Sequence, residues 1–254
     1  MEKLSVALLT KNSEPCIRTC LESLEWVDEI VVLDGYSTDG TIAICREYTE
    51  KIFQKPFESF PAERDFVLRK TTHRWVLSVD ADMEFPPDFC AEVREILKNP
   101  THDAYQCRGL TIFLGRKIRH CSWFDNRYVR LFDKEKARYD LSLSILDVVI
   151  IATGRIGRMR NHFIHHQNET FLEYFAKIRR YSELTAREYR SKGVRISALN
   201  APYYLGLKPT LVFLHKYIFK RGFLDGVAGL IVCIDSAISY YAALAALWDD
   251  QRNK

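Results

Sequence analysis

Four apolar runs in the first eighty residues, each followed by a helical pattern, restrict the fold of this chain more than any other feature. Leu4 to Thr10 (LSVALLT), Glu29 to Asp34 (EIVVLD), Ile52 to Phe57 (IFQKPF) and Trp75 to Asp80 (WVLSVD) read as strands. Ser13-Glu14-Pro15 looks like a helix start, with Ile17, Leu21 and Leu24 on one helical face. GYSTDG turns into a second helix at Thr41, Pro61 opens a third, and Pro86-Pro87 leads into a fourth that runs through Leu97. Near-continuous apolar strands joined by helices predict an α/β fold with a parallel sheet covered on both faces. In such sheets ligands bind beyond the carboxyl ends of the strands.

That rim is where the acids fall. Asp34 closes the second strand, and Asp80 with Asp82 follows the fourth in WVLSVDADM. Two carboxylates one residue apart repel each other unless something neutralises them, and a divalent cation shared between them would do so. Mg²⁺ or Mn²⁺ suits the task, since both bind through one or two carboxylates plus substrate phosphates. The plainer alternative makes Asp82 a helix cap and Asp80 a solvated strand end. The strand context and the matching acid on strand two favour the metal. Asp34 can accept from a nucleobase N–H or a ribose hydroxyl, or can simply form the turn before Gly35. Asp39 has a plain account, since Thr38 or Asp39 would cap the helix at Thr41.

The remaining chain differs in texture. From Ala104 to Phe132 the pattern predicts strands of a more mixed sheet, and beyond Phe171 it is helical and basic. Residues 171 to 222 hold eleven Lys/Arg against three acids, within a chain of 254 residues and net charge +4. Such a surplus suits an anionic partner such as a membrane surface, a phosphorylated lipid or a nucleic acid, although a solvated helix face needs no partner. No linker rich in Gly, Pro or Ser interrupts the chain. The expected organisation is a catalytic domain over 1–170, with its donor-binding half at 1–100, and a helical extension over 171–254. Seven cysteines without a CxxC pair predict reduced, buried thiols in a cytosolic protein. The apolar run at the N-terminus is too short for a signal peptide.

Two stretches of the extension bear on membranes. KPTLVFLHKYIFKRGF places Leu211, Leu214 and Ile218 on one helical face and Lys216 and Lys220 on another, the pattern of a helix lying in a membrane interface. Leu230 to Trp248 has Asp235 as its single charge and would be roughly 28 Å long as a helix, near the hydrocarbon thickness. A carboxylate near its middle would cost about 2.5–3.5 kcal/mol in lipid. A packed or membrane-touching helix is therefore expected rather than a spanning one.

VALLTKNSE, EIVVLDGYSTDGT and WVLSVDADM, in that order, resemble the nucleotide-sugar-binding half of family 2 glycosyltransferases. RYVRLF, GRIGRMRNHFIHH, KIRRYSELTA and KRGFLDGVAGL resemble the bacterial branch that adds glucose or a related hexose to the lipopolysaccharide inner core. The likeness runs over essentially the whole chain. It implies a GT-A-type fold, a UDP-sugar donor with Mg²⁺ or Mn²⁺, and inversion at the anomeric carbon. It puts Thr10 and Asp34 at the uridine, Asp80 and Asp82 at a DxD metal–diphosphate site, and Arg64 near the donor, where an exposed helix charge is the plainer alternative. His165 would complete the metal shell or touch the diphosphate, with His162 and His166 as neighbours in sequence. Lys177 and Arg180 would face phosphate or lie on a solvated helix face. Arg127 and Arg130, which alternate along one strand, would bind an anionic acceptor or flank the sheet edge.

The same branch carries a His-Glu pair after its RLF strand, and here LSLSILDVV sets Leu146 and Asp147 in that place. Asp147 is the expected base, reaching one methylene less far, with Asp140 and Glu135 as alternatives. The acceptor would be a lipid-linked or core oligosaccharide. The chain would make peripheral membrane contact at the inner face of the cytoplasmic membrane, with no role for nucleic acid. Two rival readings stand beside this one. A haloacid dehalogenase-type phosphohydrolase ends a strand in DxDx(T/V), with Asp80 as nucleophile and Asp82 as acid/base, but Met83 occupies the Thr/Val place. A catalytically inactive nucleotide- or lipid-binding relative is argued by the missing His before Asp147.

Overall fold

The computed structural model describes residues 1–143, 148–167 and 170–252, without the side chains of 173, 177 and 179–181. The first hundred residues form β1 (Leu4–Thr10), α1 (Glu14–Glu22), β2 (Glu29–Asp34), α2 (Thr41–Cys45), β3 (Ile52–Gln54) and α3 (Phe60–Lys70). β4 (Trp75–Asp80), the two-residue β5 (Met83–Glu84) and α4 (Pro87–Lys98) complete them. There follow β6 (Ala104–Phe113), β7 (Arg116–Ile118), β8 (Arg127–Asp133), β9 (Ala137–Tyr139), β10 (Val149–Ile151) and β11 (Ile156–His166).

β3, β2, β1 and β4 lie side by side in that order and run parallel, as their apolar sequences require. The sheet then continues through β8, β6, β11 and β5, and the pairings of β8 with β4 and β6 and of β11 with β5 are antiparallel. Side chains alternate across it. Trp75, Leu77 and Val79 enter one core with Ile17 and Leu21 of α1 and Phe89 and Val93 of α4. Val76 points the other way, into a core with Val67 and Leu68 of α3 and Phe132 of β8.

Register fixes what reaches the rim. Thr10 partners Asp34 across β1 and β2, and Leu9 partners Asp80 across β1 and β4. The strand order reverses between β1 and β4, and at such a switch point the loops diverge and leave a crevice. The loops that follow β1 and β2 are laced together: Asn12 N–H donates to Ser37 Oγ at 2.8 Å, and Thr38 N–H donates to Asn12 Oδ1 at 2.9 Å. Asp39 Oδ1 accepts from the Thr41 N–H at 3.1 Å and from its hydroxyl at 2.6 Å, which organises the start of α2.

The chain forms two compact units, Met1–Gly109 with Asn126–His166, and Leu110–Asp125 with Gln167–Lys254. The excursion 110–125 departs from a simple division near residue 170. Its cause is packing: Phe113, Ile118 and Cys121 share a core with Tyr174, Ile178 and Val232. This second unit contains β7, α5 (Phe171–Ser191) and a helical stretch from Pro202 to Phe219 whose middle is α6 (Lys208–Leu214). It closes with α7 (Gly226–Arg252), which is long and apolar enough to cross a membrane by length and composition. Asp235 does not face outward from α7: it is 2% exposed, and burial pushes its carboxyl up to about 6. Six of the seven cysteines are buried and none is in a disulfide.

Candidate active site

Asp80, the last residue of β4, is held by two guanidinium groups. Arg64, on α3, turns toward the sheet and is only 2% exposed. Its Nη1 donates to the Val79 carbonyl at 2.8 Å, and its Nη2 pairs with Asp80 Oδ1. Arg130, buried on β8, brings its Nη2 to 3.3 Å from Asp80 Oδ2. The Arg130 guanidinium in turn lies 5.4 Å from the Tyr128 ring and 6.0 Å from the Phe163 ring. Both oxygens of Asp80 therefore already face positive charge from the protein itself. Sequence reasoning left Arg130 at the acceptor or the sheet edge. The signal lay in strand register, because Leu131 partners Leu77 and so sets Arg130 at the level of the last residues of β4.

Asp82 is placed differently. β5 pairs with the end of β11, so that His165 partners Met83, and His165 Nε2 comes to 3.2 Å from Asp82 Oδ2. The His166 N–H donates to the Asp82 carbonyl at 2.8 Å, while its ring nitrogen lies 2.7 Å from Glu84 Oε2. Of the neighbouring histidines, His165 is thus the one that meets the second aspartate of DAD. Asp82 does not cap α4, whose N-cap residue is Pro86 with no side-chain cap bond.

Thr10 and Asp34 lie on the same rim, one strand and two strands from Asp80. The Thr10 hydroxyl is buried and has no hydrogen-bond partner among the described residues. Asp34 is fully buried and braces its own loop, accepting from the Ser37 amide at 2.8 Å, from the Ser37 hydroxyl, and from Gln54 Nε2 at 2.9 Å. Ser37 and Gln54 carried no signal before the fold placed them, since each is an ordinary loop or strand polar residue.

Asp147 lies outside the described residues, as does the side chain of Lys177, whose backbone is part of α5. Of the alternative bases, Asp140 accepts from the Ser142 amide at 3.0 Å and hydroxyl at 2.6 Å, and these bonds hold its carboxyl below the usual range. Glu135 belongs to the opposite rim, beside Arg74, because Asp133 partners Trp75 at the start of β4. That rim is closed by ion pairs: Arg74 Nη2 meets Asp133 at 2.6 Å and Lys136 Nζ meets Asp103 at 2.5 Å.

The fold is shared with solved structures. A mannosyltransferase from Pyrobaculum calidifontis, in complex with GDP-Man and Mn²⁺, superposes with a TM-score of 0.51 at 17% identity, covering 96% of this chain and 75% of that one. TarS 1-349 of S. aureus in complex with UDP-GlcNAc gives 0.50 at 15% identity over 99% and 92%. A parallel half-sheet with acids at its switch point, continued by antiparallel strands, is the GT-A arrangement, and the protein it makes here is a glycosyltransferase. The chain belongs to glycosyltransferase family 2, whose family model, "Glycosyl transferase family 2", matches residues 5–160. The lipopolysaccharide core biosynthesis glycosyltransferase LpsC of Rhizobium meliloti is 27% identical, over 98% of this chain and 93% of its own length. A protein of Rickettsia prowazekii described as an uncharacterized glycosyltransferase is 24% identical over 98% and 88%. Family membership sets aside the phosphohydrolase reading of SVDADM.

Proposed function

We propose that this enzyme moves a hexose, glucose from UDP-glucose before others, onto a lipopolysaccharide core or related cell-envelope glycan, with inversion and with Mg²⁺ or Mn²⁺. The observation that carries this reading is the approach of His165 to Asp82 beside an aspartate that two arginines already neutralise. A carboxylate oxygen and an imidazole nitrogen on one spot suit Mn²⁺ and leave the remaining positions to diphosphate oxygens and water. Among the described residues no third His, Cys, Asp or Glu side chain joins them, which fits an ion completed by its substrate. When bound, the ion would offset the charge that gathers on the departing diphosphate.

The chain's own residues supply the rest. Arg64 and Arg130 add positive charge, fixed in place beforehand, next to the point where the sugar–phosphate bond breaks. The buried Thr10 hydroxyl fits a polar atom of the nucleoside, because buried polar groups are seldom left unbonded. Asp34 shapes the loop beside it, which would contact the uridine. Asp147 takes the proton of the acceptor hydroxyl, on the face of the sugar opposite the leaving group. The full-length likeness to LpsC supports the acceptor class, and a lipid-linked acceptor sets the reaction at the inner face of the cytoplasmic membrane, with no nucleic acid involved.

Thermal-shift titration with UDP, with and without MnCl₂, tests the reading together with transfer from UDP-glucose to core oligosaccharide. UDP should raise the melting temperature only when Mn²⁺ is present, and Asp82→Asn should abolish both the shift and transfer. A UDP response identical in wild type and Asp82→Asn would refute the site.

A further inference from the structure

The helical stretch from Pro202 to Phe219 is built with its polarity reversed. A surface helix in water turns its charged side chains outward and its apolar ones inward. Here Tyr203, Leu207, Leu211, Leu214 and Ile218 follow one another at spacings of three and four, and all are exposed, Leu207 at 52% and Ile218 at 51%. None of the exposed positions between Pro202 and Phe219 is a lysine, arginine, aspartate or glutamate.

The two charges that this stretch does contain are turned into the unit. Lys208 Nζ lies 5.4 to 5.8 Å from the rings of Tyr189, Tyr204 and Tyr240. Lys216 Nζ donates to Ser236 Oγ at 2.8 Å. The apolar exposure continues past the end of the helix, with Phe219 at 75%, and with Phe223, Leu224 and Val227 leading into α7. From Phe223 to Trp248 the exposed positions again carry no charge.

Beside that end sits a basic group. Lys220 O accepts from the Cys121 N–H at 3.2 Å, and Arg119 N–H donates to Asp225 at 3.3 Å, so Arg119, Lys220 and Arg221 share one neighbourhood. Arg119 and Arg221 are exposed, while Lys220 lies 3.6 Å from Asp125 and the Asp225 side chain is 5% exposed.

We propose that the outward face of Pro202–Val227 is a membrane-docking surface, lying in the interface of an anionic bilayer with its apolar side chains among the acyl chains. Arg119, Lys220 and Arg221 meet the lipid phosphates at one end. A large apolar face without charge does not persist on a monomer in water, and the adjoining basic group selects anionic headgroups over a second apolar protein surface. The inference rests on the envelope-glycan reading above, and it deepens that reading by naming the surface and the headgroup charge.

Flotation of the full chain with vesicles tests it. Wild type should float with phosphatidylethanolamine/phosphatidylglycerol vesicles and weakly or not at all with phosphatidylcholine. Leu211→Ser with Ile218→Ser should lower the floated fraction about tenfold or more, since each removes apolar surface from the contact. Lys220→Glu with Arg221→Glu should lower it for anionic vesicles alone, and 0.5 M salt, roughly a 4 Å Debye length, should do the same to wild type. Both variants should keep the wild-type melting temperature and its shift by UDP.

Wild type left at the bottom of the gradient with anionic vesicles would overturn the proposal. So would a Leu211→Ser/Ile218→Ser variant that floats as wild type does, or a wild-type dimer that this variant converts to monomer without any flotation. The last result would give the face to a second copy of the chain. Loss of the UDP response with flotation intact would count against the transferase reading and leave this surface standing.

Discussion

His165 Nε2 and Asp82 Oδ2 stand 3.2 Å apart although 83 residues separate them in the chain. The pairing of two residues of β5 with the end of β11 is what joins them. This one contact sets an imidazole against the second carboxylate of DAD, and several tests hang on it and on its surroundings.

Replacing His165 with alanine should raise the Mn²⁺ concentration needed for half-maximal UDP-induced stabilisation by roughly 10- to 100-fold. The melting temperature without ligand should change little, because the side chain is partly exposed. Calorimetric titration of the apoprotein with MnCl₂ and UDP reads the effect directly. Unchanged metal dependence in His165→Ala would remove the imidazole from the site.

Arg64 is different in kind, since it supports the fold as well as the site. Its removal leaves the Val79 carbonyl and one oxygen of Asp80 without their buried donor. Arg64→Ala should destabilise the protein by about 1.5–3 kcal/mol, the range for hydrogen bonds to a charged group, because Asp80 keeps Arg130 and is partly exposed. Arg64→Lys should restore part of this only, because an ammonium cannot span both acceptors as a planar fork does. Urea unfolding of the three proteins at one pH gives the comparison.

Gly109 on β6 tests the packing behind Arg130. A Cβ there would lie 2.7 Å from Phe163 Cζ, and Phe163 is the ring on which the Arg130 guanidinium rests. Gly109→Ala should lower stability by about 1–3 kcal/mol through overpacking. It should also raise KM for the donor more than it lowers kcat, because the displaced ring shifts Arg130. Steady-state kinetics beside thermal unfolding separate the two effects.

Glu29 gives a pH signature far from the site. Burial would raise its pKa, but bonds from Lys51, Ser5 and Thr72 prevail and hold it down to about 2. Its carboxylate binds protons less readily folded than unfolded. The stabilisation is therefore full above the ordinary glutamate value and drains away as the pH falls toward 2. Glu29→Gln should be less stable than wild type by about 2 kcal/mol at pH 7, with the gap closing between about pH 4.5 and 2. Urea midpoints measured across that range check it.

Much of this molecule was legible beforehand, for a physical reason. In β1, β2 and β4 the apolar run and the length agree, β2 and β4 each end in an acid, and buried parallel strands leave little else for such runs to become. The C-terminal rim followed from the same pattern. The partners of the acids were not legible, because they depend on register between distant strands. Nothing in RYVRLF distinguishes an arginine facing Asp80 from one facing solvent until Leu131 is set against Leu77. The excursion 110–125 escaped for a similar reason. Phe113 and Ile118 are apolar in either unit, and only packing assigns them to the second. The face of Leu211, Leu214 and Ile218 was visible as a stripe, whereas the inward turn of Lys208 and Lys216 needed coordinates.

The lateness of β11 has a consequence for how the enzyme comes into being at the ribosome. Asp82 emerges early, yet the imidazole that joins it belongs to the final strand of the sheet to be translated. A chain stopped before β11 would hold Asp82 without the imidazole that meets it here. On the reading proposed above, transfer would then begin only once translation has passed His165.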